Sequence, residues 1–423
     1  MAAERLDFII FGATGFTGKY TVKNAAKICA EKHFKFGVSG RRKEALEAVV
    51  KEFAPEIENI PIIIADLKEE DTLKKMTEQA KVLVNCCGPY RFYGEPVVKA
   101  CIATGTHYVD VSGEPEFMES MQLKYNKAAQ EAGVYIISAC GFDSIPTDLG
   151  VIFTQDKFEG EINSIETYLT CSSSSPTEGP VIHYGTWESI IYGLKDAKKL
   201  RSLRKQLYPE PLPELWPRLK RRGALHKSTV VPGWSVPFPG SDRAVAYRTQ
   251  RFLYENFKQR PAQVQTYVTF SSLFAIFELA FISLIIGILC RYEFGRTLLL
   301  KYPAFFSAGF VSHEGPSEKT MENTKFSIKF KANGWTEKVA EPTDKHANAP
   351  NKEMITEVTG TNPGYGATCV ALLLSATTIL EESDKMPNNG GVLTPGAAFG
   401  KTSIIEGLNK NDLRFEVVSS KEN

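Results

Sequence analysis

Short apolar runs separated by longer amphipathic stretches make up the first 150 residues. The runs are rich in β-branched side chains, as buried strands are, and the stretches between them have the composition of helices. Predicted strands begin near Phe8, Lys35, Ile60, Val82, Tyr108 and Val134. Strands that alternate with helices in this way predict a Rossmann-type, doubly wound parallel sheet, so we expect an α/β domain over residues 1–150.

The pattern changes in the rest of the chain, where strand-like alternation is mixed with long helical periodicity. Ile162–Leu169, Lys325–Lys331 and Met354–Thr359 alternate as half-buried strands do. We therefore expect a mixed α+β substrate and dimerisation domain over residues 151–385. The helix and strand predicted within residues 386–423 are expected to pack back against the Rossmann domain.

One window in the second domain is far more apolar than its surroundings. Between Arg260 and Arg291 the only charged residue is Glu278, and 17 of the 23 residues in Val268–Cys290 are apolar. As a single helix this window would be about 34 Å long, enough to cross a hydrocarbon core of about 30 Å. The sequence therefore predicts an apolar helical insert over residues 264–311.

Three interpretations of this insert stay open. A spanning helix would place Glu278 near the middle of the bilayer, at a cost of about 2.5 kcal/mol or more, and would separate the two flanks of one folded unit. A helix that is apolar on all sides can instead be buried in a core or in a homodimer interface. We favour the third interpretation, a helical hairpin that dips into one leaflet of a membrane or into the monolayer of a lipid droplet.

The loop after the first predicted strand has the glycine spacing of a dinucleotide site. Gly12, Gly15 and Gly18 lie between a strand and a helix, where the first glycine allows a tight turn and the second lets the backbone approach a pyrophosphate. The third lets the helix pack closely on the strand, and the helix N-terminus offers unpaired N–H groups to the anion. The cofactor contacts predicted in this turn are Gly12, Thr14, Gly15, Phe16, Thr17 and Gly18.

The residues after the second predicted strand favour NADP(H) over NAD(H). In this fold the end of that strand faces the adenine ribose, and NAD sites usually place a carboxylate there. This chain instead has Gly40, Arg41 and Arg42, and a guanidinium suits a 2′-phosphate in charge and in bidentate geometry. The alternative is that one of these arginines only borders a surface loop. Arg41 is the stronger candidate, because Arg42 opens the next helix.

Other cofactor contacts are expected where later strands end, because open α/β sheets bind ligands beyond the carboxyl ends of their strands. Asp66 follows the third strand and could border the adenine, or it could only cap the next helix. The fourth strand leads into a loop that contributes Cys87, Gly88, Pro89 and Tyr90. The predicted site therefore extends over the ends of the first four strands.

The chain also carries a series of ordered motifs at Gly12–Gly18, Gly88–Pro96, Asp110–Glu114, Gly141–Pro146 and Gly390–Phe399. Together they resemble the saccharopine dehydrogenase-like oxidoreductases over nearly the whole chain. The resemblance implies a Rossmann NADP-binding domain with a mixed α+β substrate domain, in a family that includes bacterial trans-acting enoyl reductases of lipid biosynthesis. It also implies an association with membranes and lipid droplets, as for the animal members. Members that process saccharopine have a larger, more polar substrate domain, so the apolar insert argues against an amino-acid substrate.

Candidate proton donors for a hydride transfer are Tyr93, Asp143, His183 and Tyr184. Tyr93 lies in the loop beyond the fourth strand, where the nicotinamide is expected, and Asp143 could instead orient the carboxamide or cap a helix. His183 and Tyr184 could line a substrate pocket, although aromatic side chains more often pack in a core. No metal site is expected, because none of the eight cysteines has metal-ligand spacing, and they are interpreted as buried thiols.

The distribution of charge narrows the function classes. With 50 Lys and Arg against 49 Asp and Glu, the net charge of +1 argues against bulk binding of nucleic acid. Residues 195–227 nevertheless hold 11 Lys and Arg against three acidic residues, which suits an anionic lipid surface or, more simply, a solvated face. The N-terminal residues lack the pattern of a signal peptide, so we expect a location on the cytoplasmic face of membranes or on lipid droplets.

These observations predict an NADP(H)-dependent oxidoreductase that acts on a hydrophobic or lipid-linked substrate at a membrane or lipid-droplet surface. Two alternatives stay open. One is a catalytically weak or inactive lipid-surface scaffold that keeps the dinucleotide fold. The other is a soluble enzyme similar to saccharopine reductase. A homodimer is compatible with each of them.

Overall fold

The apolar runs near the N-terminus form strands in the computed structural model, which describes residues 4–174, 179–387 and 389–422. The strands of this part are β1 (Leu6–Phe11), β2 (Phe36–Gly40), β3 (Ile62–Ile64), β4 (Ala80–Asn85), β5 (His107–Asp110) and β6 (Tyr135–Ile137). The helices between and after them are α1 (Phe16–Lys32), α2 (Lys43–Phe53), α3 (Glu70–Thr77), α4 (Tyr90–Thr104), α5 (Pro115–Glu131) and α6 (Ser144–Lys157). Strands and helices alternate here as predicted.

The elements after α6 fill the rest of the chain. The strands are β7 (Glu161–Ser173), β8 (Ile182–His183), β9 (Trp234–Pro237), β10 (Gln263–Phe270), β11 (Val311–Ser312), β12 (Thr324–Trp335), β13 (Lys352–Thr361), β14 (Gly391–Leu393) and β15 (Arg414–Glu422). The helices are α7 (Tyr184–Leu207), α8 (Asp242–Phe257), α9 (Leu273–Leu289), α10 (Glu293–Lys301), α11 (Pro303–Phe306), α12 (Glu318–Asn323), α13 (Thr368–Glu382), α14 (Pro395–Phe399) and α15 (Ile404–Lys410). A π-helical turn, Pro363–Ala367, precedes α13, and a 3₁₀ turn, Ser383–Lys385, follows it.

The first sheet is parallel throughout, with its strands in the order β14-β6-β5-β4-β1-β2-β3. The order 3-2-1-4-5-6 within it is that of a doubly wound dinucleotide fold, which confirms the predicted fold class. Phe8 and Ile10 of β1 lie in one core cluster, whereas Ile9 and Phe11 lie in a second cluster on the other face. Burial on both faces explains why the strands are continuous apolar runs rather than alternating ones.

The second sheet is mixed and has the strand order β15-β13-β12-β7-β10-β9. Strand β10 runs parallel to β7, while the other neighbouring strands are antiparallel. Helix α6 is buried along most of its length and packs on β12 and β13. This helix therefore belongs to the core between the two sheets, and the predicted mixed second domain is confirmed.

The C-terminal residues contribute to both sheets. Strand β14 pairs with β6 at the edge of the parallel sheet, and β15 pairs with β13 at the edge of the mixed sheet. Strand β14 was not foreseen, because three residues are too few to show a periodicity. Helix α13 packs on α1 and against β4 and β5. The division of the chain at residues 150 and 385 stays a prediction.

The apolar window does not form one helix. Its first residues, Val268–Phe270, are the end of strand β10, and the helix α9 covers only Leu273–Leu289. The prediction of a helical insert over residues 264–311 is therefore wrong at its N-terminal end, because pairing with β7 and β9 holds residues 264–270 in a sheet. The 17 residues of α9 give a length of about 25 Å, which is less than a hydrocarbon core of about 30 Å.

Helix α9 exposes its apolar side chains. Phe274, Phe277 and Phe281 are 76%, 67% and 64% exposed, and Ile286 is the one residue of this helix that is buried. Beyond α9, the apolar surface continues with exposed aromatic side chains, such as Phe305 on α11. The insert thus presents an apolar surface to its surroundings.

Within the described part of the chain, one helical stretch meets the length and hydropathy of a membrane span. It is Pro363–Lys385, which includes α13, and 72% of its apolar window is buried inside the protein. Since α13 packs on α1 and the parallel sheet, its hydropathy is that of a core helix.

Gly150→Ala tests the contact between α6 and the mixed sheet. A Cβ at position 150 would lie 2.2 Å from the ring of Phe330, so the ring or the helix must shift. We expect the free energy of unfolding to fall by about 1–3 kcal/mol. Gly407→Ala is the matched control, since a Cβ there meets Leu374 at an ordinary 3.6 Å and alanine favours the helix. Chemical denaturation compares the two variants, and equal stability would contradict this packing.

Candidate active site

The turn between β1 and α1 has the geometry that its glycines predict. Gly12 has a φ of +81°, and its N–H donates to the Ser39 carbonyl oxygen at 2.9 Å. The Gly15 N–H donates to the Gly12 carbonyl oxygen, also at 2.9 Å, and closes the turn. A Cβ at Gly18 would lie 2.1 Å from that same oxygen. Helix α1 can therefore begin directly over the end of β1 only because Gly18 has no side chain.

The N-terminus of α1 is open and has no internal anion. Gly15 is its cap residue, no side chain caps it, and its first turn contains no acidic residue. Thr14 and Gly15 are exposed, whereas Phe16 and Thr17 are half-buried. The first N–H groups of the helix and the positive end of its dipole thus lie where an anionic ligand could accept from them.

Two cations follow the second strand, next to this turn. Arg41 and Arg42 are both exposed, and Arg42 is the cap residue of α2. Burial raises the pKa of the Cys87 thiol at the end of β4, and the charge of Arg41 partly opposes that rise. The positive charge of Arg41, which follows β2, thus influences the Cys87 thiol, which follows β4. Both residues lie at the carboxyl edge of the sheet, where the cofactor is predicted to bind.

Asp66 closes a turn ahead of α3. Its carboxylate accepts from the Lys68 N–H at 3.0 Å, and its backbone N–H donates to Thr72 Oγ1. The cap residue of α3 is Glu69, so Asp66 is not the cap that was considered as its alternative role. Whether Asp66 also borders an adenine stays a prediction.

The loop after β4 is shorter than expected, because helix α4 already begins at Tyr90, which was predicted to lie in the loop. Pro96 lies inside this helix. The buried carboxylate of Glu114 accepts from the N–H of Tyr90 at 2.9 Å and pairs with Arg91 Nε at 2.7 Å. Glu114 thus substitutes for a local cap and starts the helix early. The local sequence pattern around Pro96 does not reveal this contact, because Glu114 is distant in the chain.

Of the residues predicted around this loop, Tyr90 has mainly a structural position. Its ring is buried, and its hydroxyl donates to the Asn85 carbonyl oxygen at 2.9 Å. Cys87, Gly88 and Pro89 form the short link between β4 and α4, at the carboxyl edge of the sheet. Gly88 is exposed and Cys87 is half-buried, whereas Pro89 is buried like Tyr90, so Cys87 and Gly88 are the members of this group that a ligand could reach. The contact of these four residues with a cofactor stays a prediction.

Tyr93 lies on α4 itself, not in a loop. Its side chain is 41% exposed and meets Phe92 with the ring centroids 6.1 Å apart. Phe92 in turn packs edge-on against Tyr192 of α7, at 4.9 Å. Tyr93 therefore stands at the rim between α4 and α7.

His183 and Tyr184 begin α7 and are engaged in local contacts. His183 Nδ1 accepts from the Gly185 N–H at 3.0 Å and so caps the helix, while its ring stacks on Phe16 at 4.8 Å. Burial lowers the pKa of His183, which favours the neutral ring. Tyr184 stacks on His313 at 4.2 Å. The structure thus brings His183 next to the glycine turn. There it caps α7 and stacks on Phe16.

Asp143 lies at the carboxyl edge of the sheet, after β6, and precedes α6. Its φ of +78° is unusual for a residue with a side chain, and its carboxylate does not cap the helix. Burial raises its pKa to about 6. Asp143 is half-buried, and Phe142 beside it packs on Phe326 of β12, so this carboxyl lies where the two sheets meet.

Sequence reasoning missed Asp242, which lies close to Asp143. Asp242 is the first residue of α8 and is almost fully buried. The nearby charge of Asp143 helps to raise its pKa, after burial itself. The signal in the sequence is only a Ser-Asp pair before a helix, which usually indicates a cap. Within the described residues, no group of three His, Cys, Asp or Glu side chains could hold a metal ion.

Comparisons with known proteins agree with this arrangement. Residues 8–137 match the family described as the saccharopine dehydrogenase NADP binding domain. The chain is 42% identical to the saccharopine dehydrogenase-like oxidoreductase of Homo sapiens over 434 residues, with 100% of both chains covered. It is 35% identical to a lipid droplet localized protein of Caenorhabditis elegans, with 98% of this chain and 99% of the relative covered.

A solved structure supports the fold. Apo saccharopine dehydrogenase (L-Glu forming) from Saccharomyces cerevisiae superposes with a TM-score of 0.58, and the match covers 98% of this chain and 100% of that one. The sequence identity is 13%. At this identity the likeness concerns the fold alone.

Gly18→Ala tests the glycine turn as a binding site. The added Cβ would force α1 away from the Gly12 carbonyl oxygen and move the helix N-terminus, so we expect NADPH affinity to fall at least about tenfold, which is about 1.4 kcal/mol. Gly287→Ala on α9 is the control, because its Cβ would have no atom within 4 Å. NADPH titration by fluorescence measures both, and unchanged affinity in Gly18→Ala would rule out this turn as the nucleotide site.

Proposed function

We propose, because this chain belongs to the saccharopine dehydrogenase-like oxidoreductase family, that it uses NADP(H) to act on a hydrophobic or lipid-linked substrate at the surface of a membrane or lipid droplet. The observation that carries the proposal is the combination of two features in one chain. One is a glycine turn with an open helix N-terminus, and the other is an exposed apolar helix.

The residues of the turn fit a dinucleotide. A Cβ at Gly12 would lie 2.6 Å from Cys87 Sγ, and one at Gly18 would lie 2.1 Å from the Gly12 carbonyl oxygen, so the tight turn requires both glycines. The α1 N-terminus provides N–H donors for a pyrophosphate. Arg41 would hold the 2′-phosphate of NADP(H), with Arg42 beside it. When bound, NADPH supplies a hydride, which carries two electrons, to an electrophilic carbon of the substrate.

The protein's own residues would orient that substrate and provide a proton. Of the four candidate donors, His183 caps α7 and Tyr184 is stacked on His313, so both have structural roles already. Tyr93 is at the exposed rim. Asp143 is half-buried, its carboxylate makes no capping hydrogen bond, and burial raises its pKa to about 6, which favours a retained proton. We therefore assign the proton donor to Asp143.

The insert supports a lipid surface as the place of action. Burying a Phe or Leu side chain in an apolar phase contributes about 1.5–3 kcal/mol, and α9 exposes Phe274, Phe277, Phe281 and Leu284. Because α9 is too short to span a bilayer and a small cluster around Trp187 holds it to the protein, a one-sided insertion suits it best. The name of the C. elegans relative, a lipid droplet localized protein, supports a droplet monolayer.

The basic stretch of residues 195–227 contributes less to such a surface than its charge suggests. Arg204 pairs with Glu119 at 2.7 Å, Arg222 with Glu166 at 2.8 Å, and Arg218 with Glu214. These pairs neutralise part of the stretch within the protein. The apolar insert is therefore the main element of the proposed lipid contact.

Arg41→Ala tests the choice of cofactor. Loss of a charge-assisted hydrogen bond costs about 1.5–3 kcal/mol, so NADPH should bind roughly 10- to 100-fold more weakly while NADH binding stays the same. Lys51→Ala, an exposed cation at the far end of α2, is the control. Parallel titrations with both nucleotides measure the ratio. An equal loss for NADPH and NADH, or no loss, would show that Arg41 does not read the 2′-phosphate.

Phe277→Asp combined with Phe281→Asp tests the lipid contact. Two charges on the exposed side of α9 should abolish flotation with phospholipid-coated oil droplets, because each charge would have to enter an apolar phase. Leu123→Asp combined with Val418→Asp changes two exposed apolar residues elsewhere and should float like the wild type. If the α9 variant still floats but changes from dimer to monomer, α9 is a dimer interface and the proposed lipid contact is wrong.

A further inference from the structure

Asp143 has a backbone conformation that the surrounding structure must maintain. Its φ of +78° and ψ of −71° lie in a region that favours glycine. Strain of this kind persists where the fold over-determines it, and it is concentrated at functional sites. No cap contact explains it here, because the carboxylate does not accept from the first N–H groups of α6.

Asp242 lies on the neighbouring helix α8, and only one of its two carboxylate oxygens has a hydrogen-bond partner among the described residues. The residue is 3% exposed, and its Oδ2 accepts from Thr147 Oγ1 at 2.6 Å. Its other oxygen, Oδ1, is buried and has no hydrogen-bond partner among the described residues. An unpaired buried carboxylate oxygen is costly, whereas a protonated carboxyl could donate to a second carboxylate beside it.

Serines next to the two aspartates connect the starts of α6 and α8. Ser144 follows Asp143, Ser241 precedes Asp242, and the two serine Oγ atoms are 3.0 Å apart. Burial and the charge of Asp143 both raise the pKa of Asp242. Two carboxyl groups in such an arrangement do not ionise independently, and the first proton to leave makes the second harder to remove.

Among the described residues, the other charge that acts on Asp242 is also acidic. Asp148 on α6 raises the pKa of Asp242, and the charge of Asp143 in turn raises the pKa of the Cys171 thiol on β7, after burial itself. Asp148 itself accepts from the Gly396 N–H at 2.7 Å and from Thr249 Oγ1, and the charge of Arg248 acts on it. Acidic neighbours therefore favour a retained proton on the Asp143–Asp242 pair.

We propose that Asp143 and Asp242 share one proton at neutral pH and that Asp143 delivers this proton to the substrate, with Asp242 as a positioning residue. The inference rests on the proposed oxidoreductase function and deepens it. Ionised carboxylates cannot donate, so a hydride transfer at neutral pH needs a carboxyl group kept protonated by its surroundings. The second aspartate provides that condition.

The proton balances the transfer of the hydride. As the new C–H bond forms, the π bond of the carbonyl or enoyl group breaks, and its electron pair needs a proton. The O–H bond of Asp143 breaks, and the proton forms an O–H bond in an alcohol or a second C–H bond in a saturated product. The two aspartates are then left with one more negative charge, and they regain a proton from water.

The pH dependence of unfolding tests the shared proton without any substrate. An aspartate whose pKa is about 3.9 when unfolded and higher when folded destabilises the protein as pH rises between those two values. Asp242→Asn and Asp143→Asn each remove one of the carboxyl groups that cause this loss of stability. Relative to the wild type, each variant should therefore gain in melting temperature as the pH rises from about 4 to about 8. Asp384→Asn, which changes an exposed aspartate in the 3₁₀ turn after α13, should run parallel to the wild type.

A constant difference between the Asp242→Asn variant and the wild type across this pH range would overturn the shared proton. If Asp242→Asn does not fold, Asp143→Asn gives the same readout. An infrared band of a protonated carboxyl group at neutral pH, present in the wild type and absent from the Asp242→Asn variant, is the second expected result. Its absence from the wild type would also overturn the proposal.

Proton release on nucleotide binding tests the role of Asp143 as donor. The positive nicotinamide ring of NADP⁺ should favour ionised Asp143, so NADP⁺ should release a proton on binding, whereas NADPH, whose dihydronicotinamide ring is uncharged, should not. Calorimetry in two buffers of different ionisation enthalpy measures this difference, and Asp143→Asn should abolish it. Equal release with both nucleotides would refute the donor role. If neither nucleotide binds, the proposed function fails, while the unfolding and infrared results still decide on the shared proton.

Discussion

The candidate site depends on one point of closest approach, where Gly18 of α1 meets the Gly12 carbonyl oxygen. A single carbon atom added there would lie 2.1 Å from that oxygen. Because glycine lacks this carbon atom, α1 starts over the end of β1, with its first N–H groups at the carboxyl edge of the sheet. The parallel register then brings the residues after β2, β4 and β6 to the same edge. Arg41, Cys87 and Asp143 are therefore positioned relative to one turn.

Helix α7 connects this turn to the apolar insert. At its start His183 stacks on Phe16 of α1, and one turn later Trp187 donates to the Leu299 carbonyl oxygen of α10 at 3.0 Å. Trp187 also belongs to the small core that contains Ile286 of α9. The exposed apolar surface of the insert is thus attached to the helix that borders the glycine turn. A substrate dissolved in a lipid phase would therefore reach the protein close to α7, the helix that lies next to the proposed cofactor site.

The sequence allows prediction of features that local pattern determines, and it fails where distant residues decide. The strands β1–β6 of the parallel sheet and the glycine turn follow from apolar runs and spacing. The start of α4 at Tyr90 does not, because the carboxylate that caps it is Glu114. Residues 268–270 look helical by composition, but pairing with β9 and β7 makes all three of them part of strand β10. Asp242 gave only the signal of a helix cap, since Asp143, which helps to raise its pKa, is 99 residues away in the chain.

The central claim is that one chain combines an NADPH site with access to lipid-borne substrate. It is tested most directly by following NADPH fluorescence when the full-length protein is mixed with vesicles made from a total lipid extract, and separately with the water-soluble extract of the same cells. We predict that NADPH is consumed with the lipid fraction and that consumption stops when α9 carries the two aspartates. Consumption with the water-soluble fraction alone, or with neither fraction, would contradict the claim.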